Sequence, residues 1–243
     1  MKDKPNRRLA WIGSSALLLA GSLAWAPAKI DDKGKPTQFK YARIKYEANS
    51  PFYDPRYGPP YSHDFPTAER NLMRAVSEFT RTDVYHDGVI VDLDSPDLFK
   101  YPFAYLCEVG YFTPSEKEVK NLREYLLRGG FLIVDDFAGG SDWQHFQAQM
   151  RRVFPDKKVE PLTLEHPIFH AFFNIETLEF HSYRGWGTFY GLSDDKGRLM
   201  MIIDVNNDVS EYWEWANTPY MSVSETNEAF KLGINYVVYA LSH

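Results

Sequence analysis

Two short, almost wholly apolar runs, with one helical stretch between them, leave this chain few folds to choose from. Residues 103–109 read FAYLCEV and residues 131–134 read FLIV. Neither run alternates polar with apolar side chains, so each is expected to be a strand covered on both faces, as in a parallel sheet. Between them, Thr113-Pro114-Ser115-Glu116 carries cap and first-turn proline signals. Helical spacing then continues to Arg128, before the break at Gly129-Gly130.

The same alternation extends on both sides. Residues 39–46 (FKYARIKY) read as a strand, residues 67–80 as a helix capped by Thr67 with Leu72, Met73 and Val76 on its buried side, and residues 88–93 (GVIVDL) as a second strand. Residues 142–153 are expected to be helical and residues 159–164 extended. Strands alternating with helices of about 12–15 residues point to an α/β three-layer sandwich, a mostly parallel sheet with helices on both faces. After Phe172 the rhythm changes. Residues 188–192 and 198–205, joined by Ser193-Asp194-Asp195-Lys196-Gly197, predict a β-hairpin. A loop over 206–224 and a closing helix over 225–241, with Phe230, Ile234, Val237 and Val238 inward, complete the chain. The loop 47–66 holds five prolines and four aromatics at Phe52, Tyr53, Tyr57 and Tyr61, then His63-Asp64-Phe65-Pro66. A loop that long is usually functional or clamped by its own side chains.

The N-terminus is different in kind. Residues 2–8 are basic and residues 9–28 are apolar, with Ala26-Pro27-Ala28 as a small-x-small site. That is the layout of an export signal or, if uncleaved, of an N-terminal membrane anchor. Residues 29–38 read as a polar linker, and residues 39–243 as a single α/β domain. The expected location is therefore exported: periplasmic, or anchored in the inner membrane facing the periplasm. The chain has 27 Lys+Arg against 33 Asp+Glu, net -6; residues 1–28 hold four Lys/Arg and one Asp, so the remainder is near -9. Such a domain repels phosphate backbones, which argues against nucleic acid as a partner. One cysteine, Cys107, excludes an internal disulfide and any multi-cysteine metal site.

Ligands of open α/β sheets bind outside the carboxyl ends of the strands. The residues expected there are Glu47, Asp92, Glu108, Asp135 with Asp136, and His166. Converging acids bind a cation, share protons at raised pKa, or face basic and amide partners. His63-Asp64 joins them, since a histidine beside an acid can act as a base or a ligand. No H-x-x-x-H or H-x-H spacing appears, so no metal motif is visible and any metal site would be assembled from distant segments, such as Asp64, Asp136 and His166. His170 and His181 read as packing or surface residues. Asn206-Asn207-Asp208, followed by Glu211, Trp213, Glu214 and Trp215, read either as a ligand-edge loop of amides, carboxylates and indoles or as an ordinary Asx turn with aromatics covering the sheet edge. Cys107 lies where a small apolar side chain belongs and reads as an unreactive core thiol. Gly139-Gly140-Ser141 precede a helix, without a Walker lysine or G-x-G-x-x-G to make them a phosphate loop.

Five stretches together resemble a known family: HDFPTAERNLM (63–73), the long block 98–137, HPIF (166–169), GRLMMIIDVNND (197–208) and AFKLGINYVVYAL (229–241). They are similar to the domain-of-unknown-function family number 4159, over about residues 39–241. The resemblance implies a class I glutamine amidotransferase-like, flavodoxin-like sandwich found in bacterial envelope proteins, and no established activity or cofactor. Amidotransferases of that fold place a nucleophilic cysteine after the strand that follows the Gly-Gly turn. Here Asp135-Asp136 stand at that place, and Cys107 is one strand too early. Two readings follow. One is a pseudoenzyme, a binding or scaffolding module of the cell envelope whose partner is an envelope protein or small ligand, with membrane contact through residues 9–28 if these are retained. Its ligand-binding candidates are Asp64, Glu108, Asp135, Asp136, His166, Asn206, Asp208 and Trp213. The other is a hydrolase in which Asp64, Asp135, Asp136 and His166 polarise water, with or without a divalent metal.

Overall fold

A computed structural model of the protein describes residues 38–46, 56, 58–182 and 185–243, with backbone only at 181 and 182. The expected leader, the linker up to residue 37, Glu47, and Phe52, Tyr53 and Tyr57 lie outside the described residues. The strands are β1 (Phe39–Lys45), β2 (Val84–Asp92), β3 (Phe103–Cys107), β4 (Phe131–Asp135), β5 (Glu160–Pro161), β6 (His181–Ser182), β7 (Gly185–Trp186), β8 (Thr188–Ser193) and β9 (Leu199–Val205). The helices are α1 (Thr67–Thr80), α2 (Glu116–Leu127), α3 (Ser141–Val153), α4 (Val209–Glu214) and α5 (Val223–Ser242). Seven strands form one sheet in the order β2-β1-β3-β4-β9-β8-β5; β6 and β7 form a separate ribbon.

The first five strands in that order are parallel, and β8 and β5 add antiparallel pairs at one edge. The chain moves from β1 outward to β2, then crosses back to place β3 on the other side of β1. This is the flavodoxin-like doubly wound arrangement, with its switch point between β1 and β3. Period-2 alternation splits the core in two. Phe39 and Tyr41 of β1 join α1 and α5 on one face, whereas Ala42 and Ile44 join α2 and α3 on the other. The central strands β3, β4 and β9 are buried along their whole length, as their unbroken apolar runs require.

Several boundaries differ from the sequence expectation for local reasons. β2 begins at Val84 rather than at residue 88, because it is an edge strand whose Tyr85, His86 and Asp87 face water. Pro114 precedes α2 rather than opening it: Ser115 is the N-cap, its hydroxyl accepting from Glu118 N at 3.3 Å while Glu118 Oε2 accepts from Ser115 N at 2.7 Å. Thr67 makes no cap for α1; the carbonyl of Asp64 accepts from Ala68 N at 2.9 Å instead. The extended stretch expected at 159–164 reduces to the two-residue β5. The expected loop 206–224 contains α4, capped by Asp208, whose carboxylate accepts from Glu211 N.

Candidate functional site

The parallel strands all end at one edge, and at the switch point that edge carries a cluster of charge. Glu108 follows β3, Asp136 follows β4, and the segment Tyr61–Asp64 folds over both from its position before α1. Three of the strand-following residues sit in the left-handed backbone region: Glu108 (φ 51°), Asp136 (φ 56°) and Asn206 (φ 57°), as does Asp64 (φ 62°). Each is a non-glycine paying roughly 1–2 kcal/mol to turn the chain sharply. The turns direct side chains across the strand ends rather than along the helices that follow.

His63 Nδ1 lies 3.0 Å from Glu108 Oε1 and 3.5 Å from Asp136 Oδ2. Its hydrogen bonds to Asp136 and then Glu108 push its pKa up to about 10, so it is an imidazolium at neutral pH. Asp64 is pushed up by burial and by the charge of Asp136, and its Oδ2 accepts from Ser210 Oγ at 2.5 Å. Glu214, at the end of α4, is raised to about 7 by burial and by Asp64. Two groups of ligand-capable atoms result: His63, Glu108 and Asp136, and Asp64, Asp136 and Asp208, each group within 4.8 Å. Asp136 belongs to both.

Beneath this rim lies a buried polar layer. Asp135 is fully buried, and its Oδ2 accepts from Val209 N (2.8 Å), Ser210 N (3.0 Å) and Tyr105 Oη (3.1 Å), while Oδ1 has no partner. Burial, then the charge of Asp136, raises it to about 7. Asp204 of β9 is raised by burial and by Asp135, with Tyr236 Oη 3.2 Å from its Oδ2. Asp135 thus fastens the first turn of α4, and with it Asp208 and Ser210, to the end of β4.

Arg43 holds the other side of the crevice. It is fully buried in β1, where its Nε donates to Glu69 Oε1 at 2.5 Å. Burial lifts Glu69 while the guanidinium pulls it back down, and at that distance the ionised, charge-assisted pair is the state the geometry supports. Nη1 donates to His63 O (2.7 Å), Tyr61 O (3.3 Å) and Cys107 Sγ (3.2 Å). The loop that delivers His63 and Asp64 is therefore strapped to β1 and β3. Cys107 is the buried thiol expected of it: Sγ donates to Pro60 O at 3.3 Å, and burial pushes its pKa up against the pull of Arg43.

Of the sequence candidates, Asp64, Glu108, Asp135, Asp136 and Asp208 come together. His166 does not. Its Nδ1 accepts from Ile168 N, and its ring packs on Tyr239, whose hydroxyl accepts from Leu199 N at the opposite end of β9. That is on the order of 20 Å along the strand from Asn206. Trp213 is also displaced from the site: it is fully buried and its Nε1 donates to Ala229 O, so it is core between α1 and α5. Asn206 latches two loops instead of facing the cluster, with Oδ1 accepting from Gly139 N and Nδ2 donating to Trp186 O. Asp92 forms a surface ion pair with Lys45. His170 is tied to Asn174 and Leu164 O. Arg43, Glu69, Tyr105 and Ser210 carry no weight in the sequence reading. Arg43 alone left a trace, as a charge at an inward position of FKYARIKY, level with Tyr41 in the period-2 register.

No curated protein matches the chain. The family model described as "Domain of unknown function" matches residues 40–241, and the chain belongs to that family, DUF4159.

Proposed function

We propose that the domain is a ligand-binding module of the cell envelope that takes up a divalent cation at its switch-point crevice and presents it to a small anionic ligand or an envelope partner. The observation that carries this reading is the convergence of Asp64, Asp136 and Asp208, from three separate segments, to within 4.8 Å. Like charges at that range repel strongly unless a proton or a cation sits among them. His63 offsets only part of the charge. An all-oxygen set suits magnesium, calcium or manganese, whereas the group containing His63 takes zinc only where the metal displaces the imidazolium proton.

The test is thermal unfolding of chelator-stripped protein with each of these four ions, alongside elemental analysis of the purified chain. One ion raises the unfolding temperature, by mass action on the native state, and Asp136→Asn abolishes the rise. No rise with any ion and no copurified metal would remove the reading. The envelope address rests on the basic-then-apolar layout of residues 2–28; recovery of the full chain in the cytosolic fraction refutes it.

One observation favours a hydrolase as the second reading. Asp136 stands on the sharp turn directly after a buried strand, with His63 in the role that His166 cannot fill. Turnover of an ester or phosphoester that disappears in His63→Gln, with cation binding retained, would decide for it.

A further inference from the structure

On the other side of the turn that carries Asp208 lies a cavity of about 340 Å³, bounded by the segment before β6, by β7, by α4 and by the first turns of α5. It is separate from the crevice and plays no part in the reading above. Phe180, Trp186 and Tyr212 supply its apolar wall. Glu179, Glu225 and Glu228 supply its charge, and among the described residues no lysine, arginine or histidine lines it. Glu228 is partly offset by Lys231, 2.6 Å away, which leaves Glu179 and Glu225 to set the potential. Ser222 caps α5 by accepting from Glu225 N, and its hydroxyl donates to Glu225 Oε2. Burial, followed by the charge of Glu225, pushes the Tyr212 hydroxyl up, in keeping with a negative field at this wall.

Asn207 also lines the cavity; it is 4% exposed, and its Nδ2 has no acceptor from the protein. That amide sits where only glycine leaves room, since a Cβ at Gly187 would lie 2.4 Å from Nδ2. The amide rests against Gly187, and the broad χ2 torsion of asparagine leaves its orphan donor free to turn to an oxygen in the cavity that Asn207 lines. Aromatic faces beside carboxylates select organic cations, because the ring quadrupole and the acids both attract positive charge. The volume lies at the low end for ligand pockets, which limits the occupant to a small molecule.

We propose that this cavity is a second binding site, for a small alkylammonium ion carrying a hydroxyl or carbonyl oxygen. Its carbon groups lie on Phe180, Trp186 and Tyr212, its charge faces Glu179 and Glu225, and its oxygen accepts from Asn207. Calorimetric titration of the full chain with choline, and with its uncharged isostere 3,3-dimethylbutan-1-ol at matched ionic strength, tests the assignment. Choline binds one to one, and the alcohol binds about tenfold more weakly or worse. Glu225→Gln keeps an oxygen for the Ser222 cap yet weakens choline by about tenfold, as does Trp186→Ala. Choline binding persists when a saturating divalent ion is present, whether or not that ion occupies the crevice. Equal binding of the two isosteres, absence of binding by choline, or undiminished affinity in Glu225→Gln each overturns the proposal. Mutual exclusion of choline and a divalent ion does so too, by assigning choline to the crevice.

Discussion

A guanidinium shut off from water must find its partners inside the protein, and Arg43 finds them on α1, on the Tyr61–His63 segment and on β3 at once. Removing one member of such a pair strands the other charge. Arg43→Met is therefore expected to lower stability by about 3–5 kcal/mol, as read by urea unfolding. Arg43→Met combined with Glu69→Leu should recover much of that loss while still weakening cation uptake, because the strap on His63 is gone. A double variant no more stable than the single one would show that the pair is not what the fold depends on. The titrating groups give a second expectation. Asp135 is raised from 3.8 to about 7 and His63 from 6.5 to about 10. A group that binds its proton more tightly when folded stabilises the protein below its unfolded pKa and loses that advantage as pH rises through its folded value. Both slopes thus have the same sign. In chelator, stability should fall between about pH 4 and 7 through Asp135 and between about pH 6.5 and 10 through His63. Asp135→Asn should make the first interval shallower, the raised Asp64 and Glu214 supplying the rest of the slope, and His63→Gln should flatten the second; unchanged profiles in both variants would contradict the burial and pairing described for these groups.

Short-range signals set most of the helices and strands, and where they are strong they can be tested one at a time. The reciprocal Ser115–Glu118 cap fixes the start of α2. Ser115→Ala is expected to cost about 1 kcal/mol in urea unfolding and to leave cation uptake unchanged, since α2 lies on the face away from α1 and α4. A loss of cation uptake in this variant would mean that the two faces are coupled. The buried central strands could be read from FAYLCEV and FLIV because burial on both faces leaves no polar position. The edge strand β2 could only be read in part, because its exposed residues break the apolar run. The candidate site divides in the same way. Asp135, Asp136 and Glu108 were visible because they directly end strands. His166 also follows an extended run, but β5 is only two residues long; antiparallel to β8, it runs in the direction of β9, and the chain then reverses in the turn where Thr163 O accepts from His166 N, which brings His166 back beside the start of β9. Where so short a strand gives way to a reversing turn is set by tertiary packing, and nothing local in Glu160–Pro161 encodes it. Trp213 misled for a related reason: within an expected loop an indole suggests a ligand edge, whereas α4 turns that face onto α1 and α5.

The polarity of the sheet gives the molecule two unlike ends. Phe39 starts β1 at the end opposite the crevice, and Gln38 leaves the sheet there, its Nε2 donating to Asp83 Oδ1. Residues 29–37 can span at most about 30 Å when fully extended. In a chain that keeps residues 9–28 in a membrane, this tether holds the β1 entry end near the lipid and turns the crevice outward, toward large soluble partners. Phe79, at the last turn of α1, is 57% exposed at the tether end, and Tyr220, in the loop before α5, is 77% exposed at the crevice end. Cys107 is buried, so single substitutions Phe79→Cys and Tyr220→Cys report separately on the two ends. With the full chain in sealed vesicles whose outer face displays the domain, a bulky polyethylene glycol maleimide should label Tyr220→Cys several-fold faster than Phe79→Cys. Detergent should erase the difference. Equal rates before detergent would mean that the domain tumbles freely on its tether or is not held at a membrane, and the crevice would then have no preferred outward direction.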